Sequence, residues 1–81
     1  MTFFRVAALD IDGTLTSKGR LSAAALAAID QARRNGLAVV VVTGRIEAEL
    51  MADFPQIVDH VDAMVLENGA VLAIDGRTYP L

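Results

Sequence analysis

Cysteine is missing from this sequence, and lysine occurs only at Lys18. Without cysteine there is neither a disulfide framework nor a thiolate metal site, which suits a cytosolic protein. Aromatic residues make up only 5% of the chain, so a core must come mostly from Ala, Val, Leu and Ile. No apolar run approaches the roughly 20 residues that a bilayer-spanning helix needs. The N-terminal apolar run is short and ends in acidic residues, unlike a secretion signal. Positive charge is not in excess: the net charge is −3, which gives no electrostatic reason to expect nucleic acid or an anionic membrane as partner. Repeats, low-complexity tracts and internal linkers are also lacking. The expectation is a single soluble, cytoplasmic domain over residues 1–81, small enough to bury only roughly 60–65% of its unfolded surface.

What is present begins with Phe3–Leu15, FFRVAALDIDGTL. Phe3–Leu9 is apolar on both faces apart from Arg5, the pattern of a strand covered on two sides. It stops at Asp10, and Asp12 follows two positions on. Residues i and i+2 of an extended chain point to the same side, so the two carboxylates can converge at the strand's end. Held that close they repel, and a cation or shared proton must offset the repulsion. Mg²⁺, which takes oxygen ligands and pairs with phosphate, fits that need. The plain alternative is a strand end followed by an Asp-Gly turn.

The rest of the chain alternates. Asp10–Arg20 is polar and holds Gly13 and Gly19, which predicts a loop. Ser22 is suited to cap a helix running to about Asn35, with Ala25, Leu26, Ile29 and Ala32 at helical spacing and Gly36 as the stop. Arg33 and Arg34 in its last turn suit the helix dipole and read as a solvated basic end. Leu37–Val42 predicts a second strand, Ile46–Phe54 a short helix limited by Pro55, and Ala63–Leu66 a third strand. Ala70–Ile74 and Thr78–Leu81 flank Asp75-Gly76-Arg77 as a hairpin. Strands alternating with helices predict a parallel α/β sheet with right-handed crossovers.

Ligands of such sheets bind outside the carboxyl ends of the strands. Asp10, Asp12, Thr43, Gly44, Arg45 and Asn68 all fall there, so three strands deliver polar residues to one rim. Thr43 and Gly44 at a strand-to-helix turn suit an anion, although Thr43 also suits an ordinary N-cap. Arg45 reads equally as a phosphate clamp or a surface residue. His60 reads as a lone histidine in a connector, and Asp53, Asp59 and Asp62 as solvated loop residues, none of them with a role. A Gly-rich nucleotide-binding loop is absent after the first strand.

DIDGTL at 10–15, VVTGR at 41–45 and LENGA at 66–70 resemble the opening half of the haloacid dehalogenase-like hydrolases, and more narrowly their Cof-type sugar-phosphatase branch. The resemblance covers essentially the whole chain. It implies a three-layer, Rossmann-like α/β core, incomplete here: three parallel strands with crossover helices plus a C-terminal β-hairpin. It also implies a Mg²⁺-dependent phosphatase acting on a small phosphorylated metabolite of the sugar-phosphate class. Asp10 would be the nucleophile and a metal ligand. Asp12 would be the acid/base, with its backbone carbonyl on the metal. Thr43 and Gly44 would hold phosphate oxygens, and Asn68 would line the site.

The departures from the family matter as much. The family's later lysine, the acidic residues completing its metal site, its cap and its C-terminal core have no counterpart here. The chain therefore reads as about the first third of a typical member, weakly active or inactive alone. In the family's sheet the first strand is central, so here Phe3–Leu9 is expected to be an open apolar edge. That edge would pair with a second copy or a complementing chain. The alternative to an enzyme is a non-catalytic fragment or partner-binding module.

Overall fold

The computed structural model describes residues 5–81. The strands are β1 (Arg5–Asp10), β2 (Thr16–Ser17), β3 (Arg20–Leu21), β4 (Leu37–Val42), β5 (Ala63–Leu66), β6 (Val71–Ile74) and β7 (Arg77–Pro80); the helices are α1 (Ala23–Arg34) and α2 (Glu47–Asp53). Phe3 and Phe4 of the expected first strand lie outside the described residues. β1, β4 and β5 are parallel neighbours, and β6 and β7 extend the sheet antiparallel in the order β1-β4-β5-β6-β7. The parallel strands, crossover helices and terminal hairpin are thus those expected.

Local chemistry accounts for the boundaries. Ser22 caps α1, its Oγ accepting the Ala25 N–H at 3.2 Å, and Gly36 follows the helix at φ 89°, a conformation that costs glycine nothing. The hairpin turn is one residue tighter than expected, because Ile74 pairs with Arg77. Asp75 and Gly76 alone make the turn, both at positive φ, as a two-residue turn matched to strand twist requires. The polar stretch after β1 is not wholly loop. A helical turn, with the Leu15 N–H donating to the Ile11 carbonyl, leads into a small flap made by β2 and β3.

The three-layer expectation is met in two of its layers. Register places Val39 and Val41 on the same face as Met64, Leu66 and Ala73. These residues form one core with Ile29 of α1, Leu50 of α2, and Ile11, Phe54 and Ile57. Both helices therefore contribute to the same side. On the opposite face Val6 is 62% exposed, and Ala8, Val42, Ile74 and Tyr79 are also exposed. The smallest dimension of the molecule is 18 Å, the thickness of a sheet and one helical layer rather than two. The two-sided cover read into the first strand is accordingly corrected. Its pattern is that of a buried strand, but the described residues cover one side only. β1 is also the edge of the sheet, as expected.

Candidate active site

Register sets the rim. Asp10 pairs with Val42 and Val42 with Val65, so the three parallel strands end level and their following loops lie side by side. The backbone stitches the loops after β4 and β5 together. The Thr43 N–H donates to the Val65 carbonyl at 2.9 Å, the Asn68 N–H to the Thr43 carbonyl at 3.2 Å, and the Glu67 N–H to the Arg45 carbonyl at 3.0 Å. Glu67, Asn68 and Gly69 all sit at positive φ. For Glu67 that backbone costs about 1–3 kcal/mol, and its N–H bond to the Arg45 carbonyl helps to hold it.

Thr43 is the one buried polar residue among the described residues. Its Oγ1 accepts the Arg45 N–H at 3.2 Å, which leaves the hydroxyl proton to donate elsewhere. It does not cap α2, whose N-cap is Ile46 and whose first turn already carries Glu47 and Glu49. The anion-binding candidate is thus the turn 43–45 and not the helix end. A Cβ on Gly44 would stand 3.0 Å from the Asn68 Oδ1. The bare backbone at Gly44 is what allows Asn68 to lie against it.

Asp10 ends β1 and is exposed. Asp12 lies one buried residue further on, since Ile11 is fully enclosed in the core and thereby fixes the start of the loop. Gly13 turns the chain at φ 83° and donates its N–H to the Thr16 Oγ1 at 3.1 Å. Asp12 is held by Arg45. The guanidinium Nε donates to Oδ2 at 3.1 Å and Nη2 to Oδ1 at 2.9 Å. This two-pronged hydrogen bond, reinforced by the guanidinium charge, holds the Asp12 carboxyl below its ordinary value of 3.8. Arg45 is itself pushed further toward its charged form by Asp12 and Asp53. Its Nη1 donates to the Asp53 Oδ2 at 2.5 Å, and it stacks 4.9 Å over the Phe54 ring.

Sequence reasoning missed this network. Arg45 was open between clamp and surface, and Asp53 was read as solvated. Asp62 was also read as solvated, yet its Oδ2 accepts the Val39 N–H at 2.7 Å and its Oδ1 accepts from Arg33 at 3.1 Å. Arg33 therefore ties α1 to the loop before β5 and is not a free helix end. His60 contacts Asp30 at 2.8 Å across the same end of the sheet. Only the 33-residue separation of Arg45 from Asp12 hid their pairing.

Among the described residues no three His, Cys, Asp or Glu side chains gather into a metal-binding group. In the arrangement that the family resemblance implies, a hard cation would take the Asp10 carboxylate and the Asp12 backbone carbonyl. Those are oxygen donors of the right chemistry for Mg²⁺, which is commonly bound by one or two carboxylates with phosphate and water completing its shell. The rim is open. Hollows of about 560 and 400 Å³ lie elsewhere, one beside Arg33 and Asp62, the other between Met51, Val58 and the hairpin tip.

Residues 7–79 match the sequence profile of the haloacid dehalogenase-like hydrolases. A phosphoglycolate phosphatase of Methanothermobacter thermautotrophicus is 42% identical over 78 residues, which is 95% of this chain and 35% of that protein. Among solved structures, a haloacid dehalogenase-like hydrolase from B. subtilis superposes with a TM-score of 0.79 at 34% identity, over 95% of this chain and 27% of that one. A sugar phosphatase of haloacid dehalogenase subclass IIB superposes with a TM-score of 0.72 at 28% identity, over 91% and 30%. The chain thus spans about a third of the length of these relatives.

Proposed function

The chain belongs to the haloacid dehalogenase-like hydrolases, with solved neighbours among their sugar phosphatases, and on that premise we propose that its rim is the nucleophile-bearing part of a Mg²⁺-dependent phosphomonoesterase. The observation that carries this reading is the joining of the strand-end loops: backbone hydrogen bonds and the close approach of Asn68 to Gly44 tie the loops after β4 and β5 together, and the Arg45–Asp12 pair ties the loop after β1 to them. The substrate class is a small phosphorylated metabolite, by analogy with the relatives' phosphoglycolate and sugar phosphatases. The setting is the cytoplasm, in keeping with a chain free of cysteine. No helix among the described residues is long and apolar enough to cross a membrane.

In this reading the Asp10 carboxylate attacks phosphorus, and the ester oxygen leaves as an alcohol that takes a proton from Asp12. Water, giving its proton to Asp12, then attacks phosphorus and releases phosphate from the aspartyl phosphate, returning the Asp10 carboxylate. The Thr43 hydroxyl and the Gly44 N–H orient the phosphoryl oxygens. The Asp10 carboxylate and the Asp12 carbonyl would hold Mg²⁺, which supplies positive charge beside those oxygens. The Arg45 fork favours ionised Asp12, the form that accepts a proton from water. Giving a proton to the alcohol requires Asp12 to loosen from that fork.

The sequence's one lysine, Lys18, lies at the tip of the β2–β3 flap and does not match the family's later lysine, and each missing charge stabiliser commonly lowers a rate about 10²–10³-fold. The chain alone is therefore weakly active or inactive. The open β1 edge is where a second copy or a complementing chain would pair. A clean monomer by light scattering at high concentration would overturn that pairing for the isolated chain. The function is tested by Mg²⁺-dependent hydrolysis of p-nitrophenyl phosphate beside Asp10→Asn. Weak turnover that disappears in the variant is the expected result. An identical background in both would favour the non-catalytic module.

A further inference from the structure

We propose that Arg45 is the positioning residue for Asp12, neither a phosphate clamp nor a surface residue; this rests on the phosphatase reading for the use of Asp12, not for its geometry. The guanidinium has five N–H donors in a rigid plane. Nε and Nη2 take both oxygens of Asp12, and Nη1 takes Asp53. Three donors are thus committed to carboxylates before any phosphate arrives.

Every side of Arg45 is fixed by a different part of the rim. Its N–H is held by the Thr43 hydroxyl and its carbonyl by the Glu67 N–H. Its plane is set by the Phe54 ring, and its far prong by Asp53 at the end of α2. Asp12, by contrast, sits on a loop with its side chain 54% exposed. Among the described residues its carboxylate bonds to no side chain but Arg45. A planar two-pronged bond fixes the direction of a carboxylate as well as its distance, which the single point charge of a lysine does not. Arg45 thereby joins the second and third loops to the orientation of the acid/base on the first, and Asp53 and Phe54 keep it in place.

The test is the side-chain conformation of Asp12, read by NMR in the wild-type chain, Arg45→Lys, Arg45→Met and Asp53→Asn. The wild type should show the Hα–Hβ couplings of one Asp12 rotamer and two distinct Hβ shifts. Arg45→Met should lose that pattern to rotamer averaging while the Thr43, Gly44 and Asn68 amide peaks stay in place. Arg45→Lys should fail to restore it, and Asp53→Asn should weaken it partly. Asp12 as ordered in Arg45→Met as in the wild type would overturn the proposal, because the loop alone would then set it. Collapse of the Thr43 and Asn68 amide peaks in both Arg45→Lys and Arg45→Met would overturn it too, since Arg45 would then merely brace the fold. Failure of the phosphatase reading would appear instead as hydrolysis indifferent to Asp10→Asn, with Asp12 order unaffected.

Discussion

The two faces of the sheet carry the same kinds of residue in different surroundings. On one, Val39, Val41, Met64 and Leu66 are at most 6% exposed beneath residues of both helices. On the other, Val6 is 62%, Val42 40%, Tyr79 43% and Ile74 36% exposed. Strand sequences that are apolar throughout are those of sheets covered on both sides, so they specify a demand for cover. Whether the demand is met depends on where the crossover helices go, and α1 and α2 contribute to one core. An apolar patch of this kind is a surface suited to contact with other protein.

Leu50, which is fully buried, tests the covered face. Leu50→Ala should cost about 2–5 kcal/mol, the transfer term plus the cavity left behind. In a chain of this size that is a large share of a total of about 4–12 kcal/mol. Val6→Thr on the other face should stay within about 0.5 kcal/mol. Urea denaturation at low protein concentration measures both. A Val6→Thr cost comparable to that of Leu50→Ala would mean that the open face is covered in solution.

Val6→Lys sharpens the same contrast in association. Lysine on an exposed edge strand is a common device against edge pairing, and position 6 has space for it. Self-association by sedimentation should weaken at least about tenfold, about 1.4 kcal/mol, with the denaturation midpoint nearly unchanged at low concentration. Equal association of variant and wild type would move the contact away from β1.

How much of this was visible in the sequence follows the range of the interactions. Ser22 as cap, Gly36 as stop and the apolar strands are decided within a few residues and, over the described residues, stand where the pattern put them, as does the hairpin, its turn one residue tighter than Asp75-Gly76-Arg77. The rim was legible because parallel topology brings strand ends together whatever the side chains do. The flap was not, since β2 and β3 have two residues each and show no period. Nor were the pairs Arg45–Asp12, Arg33–Asp62 and His60–Asp30. Charged residues in loops look solvated until the fold supplies their partners.

The smallest expected effect lies on the rim, where pH should separate Asp12 from the other carboxylates. The Arg45 fork holds the folded-state value of Asp12 below the ordinary 3.8. A carboxyl depressed on folding contributes stability that is present above its unfolded value and is lost as pH falls through the folded one. The window therefore lies below about pH 4. Because the Asp12 side chain is 54% exposed, water and salt screen the pair and the contribution is minor. Denaturation midpoints of the wild type and Asp12→Asn should differ slightly near neutral pH and converge as pH drops through that window. Arg45→Met should erase the difference at every pH, because it removes the cause of the depression. A gap between wild type and Asp12→Asn that persisted in Arg45→Met would assign the stability to some other partner of Asp12, and the fork would lose its place at the centre of the rim.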